Sequence, residues 1–574
     1  MGATSKLPKQ GRPPGATLRR GPRAGHIRGH VRGLFMSDRF SARLNSFARL
    51  NVDEFATVSR RTLLRGLSAS ALLTTTGSFF TRGLWAAPAF SANPFALGVA
   101  SGDPAPDGFV LWTKIAPKPL DRGGGMPMRP VEVSWAVATT DGMQQVVREG
   151  TAVAHPELGH AVHVEVDGLE PARDYFYRFT IGGEQSQVGR SRTLPPAGAP
   201  VGQVRIGHVG CQCYEDGFFT AYRHVAEERF DFVYHSGDYI YEHGIWRSSA
   251  ARAVPRDVDE TFTLDDYRYR YSLYKLDLDL QAAHASAPFV MSFDDHEVSN
   301  DWAGLWNQAG MPAELFALRR AAAFQAWYEH MPVRKAQLPR GPDIQAYRRL
   351  TVGDLIAMNV LDTRQYRTTP PACGGGRKAN CAEAFEPRRT MMGETQERWL
   401  YDAFKTAGHT WNVLAQQVTL MRNDASPDHN VFLPNMDMWD GAPAARDRLF
   451  AAIEDAKLSN VIALSGDIHS NWAGELKKDF LDETSATLGV EFIGTSITTN
   501  RDGYDINDIF RQRIAKQPYV KFFNGQRGYL RHIVTPARWQ ADFRVLDKVT
   551  VPDGRISTRK SLVVESGKSA IAQA

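Results

Sequence analysis

Cysteine is scarce here. The chain has four in 574 residues, and none stand at the two-residue spacing of a redox or zinc motif. Cys211 and Cys213 are one residue apart, so a disulfide between them would be strained. Cys373 and Cys381 flank GGGRKAN, a flexible loop that a disulfide could close in an oxidising compartment. Long apolar runs are missing beyond the N-terminal region, which excludes a membrane-spanning helix there. Internal repeats are missing too, and with them a solenoid. Excess positive charge is also lacking where it would matter. The net charge is +5, but residues 1–92 hold 15 Lys and Arg against 3 Asp and Glu, leaving −7 on the remainder. Nucleic-acid binding thereby loses its main support.

The chain does have an ordinary globular composition, 43% hydrophobic and 23% charged, with length for two domains or more. Residues 1–92 look like an export leader. Arg60 and Arg61 form a twin-arginine pattern, a weakly apolar stretch runs from Gly66 to Phe80, and small residues follow at 86–92. The segment before Arg60 is long; Met36 is an alternative start, which would leave residues 1–35 untranslated. Export by the twin-arginine translocase moves folded proteins and places the product in the periplasm or outside the cell. That suits an enzyme that acquires metal in the cytoplasm.

From 93 to 196 short alternating strands, such as 108–114, 131–137 and 161–166, predict an all-β sandwich of the immunoglobulin or fibronectin kind. Leu169–Tyr177 resembles the tyrosine corner of such sandwiches. A Pro/Gly/Ala-rich linker at 194–202 leads to a second domain, 203–574. There the rhythm becomes α/β, with helices expected at 219–228, 314–330, 394–407 and 444–455. Apolar strands at 204–209, 230–235, 288–293, 356–361 and 461–464 each end in polar residues: Cys211, Asp238, Asp294-Asp295-His296, Asp362 and Asp467. Strands that deliver polar groups at their C-terminal ends place a site along that edge.

The residue types point to phosphoester chemistry. Attack on an anionic ester needs cations to offset the phosphoryl oxygens and to lower the pKa of a water, and Asp supplies bridging ligands from rigid strand ends. Asp238, Asp295 and Asp467 occupy such ends, two of them after a glycine. Asp467 and His469 can face one ion as a strand leaves the sheet, and so can Asp238 and Tyr241 from a turn. Phenolate and thiolate suit ferric iron, so Tyr241 with Cys211 argues for iron beside harder, oxygen-ligated ions. Cys213 reads as a small buried residue. His296 is the candidate general acid toward the leaving alkoxide; it could instead ligate a metal or orient Asp295. Asn300 and Asp301 could add an oxygen ligand or cap a helix. Arg364 could clamp a phosphate or pair with Asp362.

These motifs, SGDYIYE at 236–242, FDDHEVSND at 293–301 and LSGDIHSNW at 464–472, resemble those of the PhoD-like alkaline phosphatases and phosphodiesterases, within the calcineurin-like metallophosphoesterases. FALGVASGDP at 95–104, LDTRQYR at 361–367 and VEFIGTSI at 490–497 extend the resemblance over nearly all of the chain after the leader. It implies a four-layer β-sandwich flanked by helices. It implies a ferric ion with Cys211, Asp238 and Tyr241 among its ligands, and calcium ions sharing Asp238, Asp295 and Asp467, with His469 and Asn300 nearby. The implied activity is hydrolysis of phosphomonoesters, often with diesters, by a metal-bound hydroxide. A phospholipase D-type diesterase is the alternative. One departure is GCQC at 210–213, where the family pattern has SCQ and no second cysteine.

Overall fold

The computed structural model describes residues 89–574 apart from Asn380 and Ala407. Arg60, Arg61, Met36 and the rest of the expected leader up to residue 88 lie outside the described residues. Two large sheets face each other. In the ten-stranded sheet the parallel strands Val204–Val209, Phe232–His235 and Pro288–Met291 lie side by side. In the seven-stranded sheet Ile356–Val360, Trp411–Ala415, Val461–Ser465 and Thr487–Ile493 do the same. Such strands are buried on both faces, so they read as continuous apolar runs without alternation. Ile206, Phe232, Tyr234 and Val290 from the first sheet meet Met358, Val413, Ile462 and Leu464 from the second in one apolar cluster.

Helices cover the outer faces. Leu400 and Phe404 of helix Gly393–Lys405 and Leu449 and Ile453 of helix Pro443–Asp455 cluster with Leu414, Val461 and Ala463, on the far side of the seven-stranded sheet. Against the ten-stranded sheet, helix Leu278–Ser286 sets the His284 ring 4.3 Å from Phe289. All four expected helices are present, as Thr220–Glu227, Ala313–His330, Gly393–Lys405 and Pro443–Asp455. Three more, Leu264–Lys275, Leu278–Ser286 and Asp508–Ala515, go beyond the expectation. None among the described residues is long and apolar enough to cross a membrane.

The N-terminal β region is a sandwich, but one of its two sheets is shared. Val133, Tyr177 and Phe179 of the five-stranded sheet pack on Val99, Phe109, Leu111 and Val164. These last four lie on strands Val99–Ala105, Gly108–Lys114 and Ala161–Val166, which continue the ten-stranded sheet: Ser101 pairs in parallel with Pro288, and Gly102 with Phe289. The linker at 194–202 therefore does not separate independent sheets, and the described residues fall within one compact unit. The tyrosine corner is there: the Tyr175 hydroxyl accepts from Glu170 N at 2.9 Å and donates to Glu170 O at 3.3 Å. Cys373 and Cys381 are joined in a disulfide, while Cys211 and Cys213 are free and buried.

Candidate metal centre

The C-terminal ends of the parallel strands in both sheets converge. Val204–Val209 leads to Cys211, Phe232–His235 to Asp238, Pro288–Met291 to Asp294 and Asp295, and Val461–Ser465 to Asp467 and His469. At three of these exits the backbone enters the left-handed region. Cys211, Asp238, Asp467 and His469 have φ of 55°, 57°, 66° and 52°. Each such non-glycine residue costs about 1 kcal/mol or more, strain that accumulates where packing over-determines the backbone. Gly237 is required before Asp238: its φ is 117°, and a Cβ there would lie 2.5 Å from Asp294 N.

Three overlapping groups of possible metal ligands result. Cys211, Asp238 and His469 bring one ligand atom each within 4.8 Å of one another; so do Asp238, Asp295 and His296, and so do Asp294, Asp295 and Asp467. Asp238 and Asp295 each belong to two groups, the placement a bridging carboxylate needs. The Tyr241 hydroxyl donates to Asp238 Oδ2 at 2.9 Å, accepts from Thr499 Oγ1 at 2.8 Å and lies 3.1 Å from His469 Nε2. Asn500 braces the other side of that imidazole, its Nδ2 2.9 Å from Nδ1. Glu297 holds the turns beneath, accepting from Asp238 N, Tyr239 N and Asp294 N at 3.1, 2.7 and 2.8 Å.

Electrostatically the cluster is acid-rich. Burial and neighbouring carboxylates push Asp238 and Asp467 well above the usual carboxylate range. Burial raises Asp294 to about 6 although Arg364 pulls the other way. Burial, Asp437 and Asp295 raise Asp301 to about 7. Asp295 goes in the opposite direction: against burial, Arg364 and His296 hold it below the usual range. Burial also raises Cys211 and Tyr241, with the Asp238 charge adding to it, and lowers His469 to about 3. One oxygen of buried Asp294, Oδ2, has no hydrogen-bond partner. Carboxylates, a thiol, a phenol and an imidazole turned toward one another with so little positive charge are the donor set that cations fit.

The sequence-predicted residues fall into two sets. Cys211, Asp238, Tyr241, Asp295, His296, Asp467 and His469 come together. Asn300 turns away, its side chain donating to Gln308 Oε1 at 3.0 Å and its backbone N–H to Glu242 Oε1 at 2.7 Å. Arg364 sits under the acids, fully buried. Its Nε donates to Asp294 Oδ1 at 2.5 Å, its Nη1 to both oxygens of Asp437 at 2.8 Å, and its Nη2 lies 3.4 Å from Asp467 and 3.7 Å from Asp295. Asp362 takes the Arg364 backbone N–H at 3.0 Å and makes no ion pair with its side chain. Glu242, which holds His296 Nδ1 at 2.7 Å, and Asp437 go unnoticed in the sequence, while Asp294 is seen there only as part of a strand end. Glu242 and Asp294 stand inside the motifs SGDYIYE and FDDHEVSND, and that membership is the available signal. Asp437 carries none.

Protein kept free of cations should show this imbalance. Asp238, Asp294, Asp301 and Asp467, whose folded-state pKa values are raised, bind more protons folded than unfolded. Their contribution is therefore favourable at low pH and falls as pH climbs from the ordinary carboxylate range to about 7. Asp295 opposes them, its contribution being lost only at lower pH. Chelated protein is expected to melt at a lower temperature at about pH 7.5 than at about pH 5, and restored cations to close most of that gap. Calorimetry with and without chelator checks this; equal melting behaviour in all four conditions would contradict it.

Comparison with known proteins gives the family. Residues 206–543 match the PhoD-like phosphatase family, and residues 82–195 match the PhoD-like phosphatase N-terminal domain. Alkaline phosphatase D of Bacillus subtilis (strain 168) is 47% identical over 492 residues, 85% of this chain and 83% of that protein. A solved structure of PhoD superposes with a TM-score of 0.82 at 46% identity, covering 85% of this chain and 93% of that one. The chain belongs to the PhoD-like phosphatase family and is a phosphatase of that type.

Proposed function

We propose that this phosphatase is exported by the twin-arginine route and hydrolyses phosphomonoesters, and also phosphodiesters, at a centre holding ferric iron and calcium. The observation that carries the proposal is the sharing of Asp238 and Asp295 between neighbouring ligand groups. Cys211, Asp238, Tyr241 and His469 would hold the iron; Asp238, Asp295 and Asp467 would hold calcium beside it. Bound cations supply charge to offset the phosphoryl oxygens and to acidify water. The protein's own groups do the rest. Burial lowers the His296 imidazole, but the neighbouring Asp295, Glu242 and Asp238 raise it well above its ordinary value, the direction a proton donor needs. The His296 Nδ1 is held by Glu242, so Nε2 is the nitrogen left to pass a proton to the leaving oxygen. Arg364 fixes the acids in place from below. The two facing sheets with helices outside support a four-layer α/β arrangement of residues 203–574, with a sandwich at 93–196 and a leader at 1–92.

The test compares hydrolysis of p-nitrophenyl phosphate, bis-p-nitrophenyl phosphate and phosphatidylcholine by the exported protein, together with metal analysis. The expected result is activity on the first two, iron and calcium in the protein, and a charge-transfer absorption from Tyr241 or Cys211. Zinc alone would overturn the iron assignment. A preference for phosphatidylcholine would turn the reading to the phospholipase D type.

A further inference from the structure

Cys213 is the residue for which the family pattern has no place, and its surroundings are unusual. It is 2% exposed, and Glu215, two residues on, is 9% exposed. The Glu215 carboxylate completes no hydrogen bond with a nitrogen or oxygen donor; the Cys213 thiol is the group set against it. Among the described residues no lysine or arginine pairs with Glu215; the one titratable base against it is His243, whose Nδ1 lies 3.3 Å from Oε1. A buried acid left in this way is costly unless something positive reaches it. Cys213, Glu215 and His243 bring a thiol, a carboxylate oxygen and an imidazole nitrogen within 4.8 Å of one another.

We propose that Cys213, Glu215 and His243 form a second metal site, separate from the carboxylate-rich centre, for a borderline-soft divalent cation of the zinc type. The donor set, one sulfur, one nitrogen and one carboxylate oxygen, is what zinc takes. Two ligands each about 2.0–2.1 Å from a tetrahedral ion stand roughly 3.3 Å apart. The Glu215–His243 separation already has that value. The His243 side chain is 48% exposed, so water can reach the fourth position. An ion here would tie the loop leaving strand Val204–Val209 to the turn that follows Phe232–His235. Those two segments also carry Cys211, Asp238 and Tyr241, so the site would stiffen the backbone beneath the main centre from the outside. The His243 ring meets His296 edge-on at 6.2 Å.

The experiment uses the protein as purified, with its own ions retained, and cobalt(II) as the probe. Wild-type protein is expected to take up one further equivalent of cobalt with a thiolate-to-cobalt absorption band, which added zinc abolishes. Cys213→Ser should lose the band. His243→Gln should weaken cobalt binding by about tenfold or more, because losing even a group that merely orients a metal ligand has an effect of that size. Iron content and p-nitrophenyl phosphate hydrolysis should stay at wild-type levels in both. His243→Gln alters a half-exposed side chain, so it keeps the test open should Cys213→Ser fail to fold. A band that survives in His243→Gln at unchanged affinity would overturn the site. So would loss of iron and activity in Cys213→Ser, which would move Cys213 into the main centre and leave the proposed reaction standing.

Discussion

Asp238→Ala is expected to lower hydrolysis of p-nitrophenyl phosphate by about 10³-fold or more, since under the proposed assignment it removes a shared ligand and several kcal/mol of transition-state charge stabilisation. The Asp238 Oδ2 takes the Tyr241 hydroxyl at 2.9 Å and lies 3.9 Å from His469 Nε2, while its Oδ1 accepts from the His296 backbone N–H at 3.4 Å. It also belongs to two of the ligand groups. The loss should come without unfolding. In cation-free protein a carboxylate buried beside Asp294 and Asp295 is unfavourable, so Asp238→Asn should leave the melting temperature of the chelated protein unchanged or raise it. It should also remove most of the stabilisation that added cations give. Kinetics, metal content and melting curves of the two variants check all three. Activity within tenfold of wild type at full metal content would contradict the assignment.

Arg364→Met is expected to destabilise the protein by about 3–5 kcal/mol, the cost of leaving buried carboxylates without their partner. The guanidinium spans Asp294 and Asp437 with separate nitrogens while its third nitrogen faces Asp467 and Asp295. An ammonium is a point donor and cannot cover that fork, so Arg364→Lys should recover little of the loss. The result separates two roles for this residue. A phosphate clamp would show chiefly as a raised KM with the fold intact. A brace beneath the acids shows as a lower denaturant midpoint and a lower kcat together, as expected here. Chemical denaturation beside steady-state kinetics decides between them.

What is legible in the sequence follows from which signals are local. Strands that end at Cys211, Asp238, Asp295 and Asp467 are visible because an apolar run stopping at a Gly-Cys, Gly-Asp or Asp-His pair is a local pattern. The helix Leu264–Lys275 escapes notice because it is buried on nearly every side, with Tyr267, Tyr269, Arg270, Tyr271, Leu273, Tyr274 and Lys275 all inside, so no apolar stripe marks it. Its start is readable: Thr263 and Asp266 form a capping box. The partners of Arg364 are not readable. Asp294 and Asp437 lie 70 and 73 positions away, and nothing local joins them to it. The same holds for the parallel pairing of Ser101 with Pro288, since periodicity shows which face is buried but not what covers it.

That pairing bears on how the chain comes to be assembled during its synthesis. Strand Val99–Ala105 emerges early, yet the neighbour it needs on one side, Pro288–Met291, is nearly two hundred residues behind it. At ribosomal speeds of roughly 5–20 residues per second the wait is on the order of ten to forty seconds, spent with one strand edge unpaired. An edge left open that long invites pairing with another chain, and a chaperone bound to the nascent N-terminal strands would shield it until its partner is made.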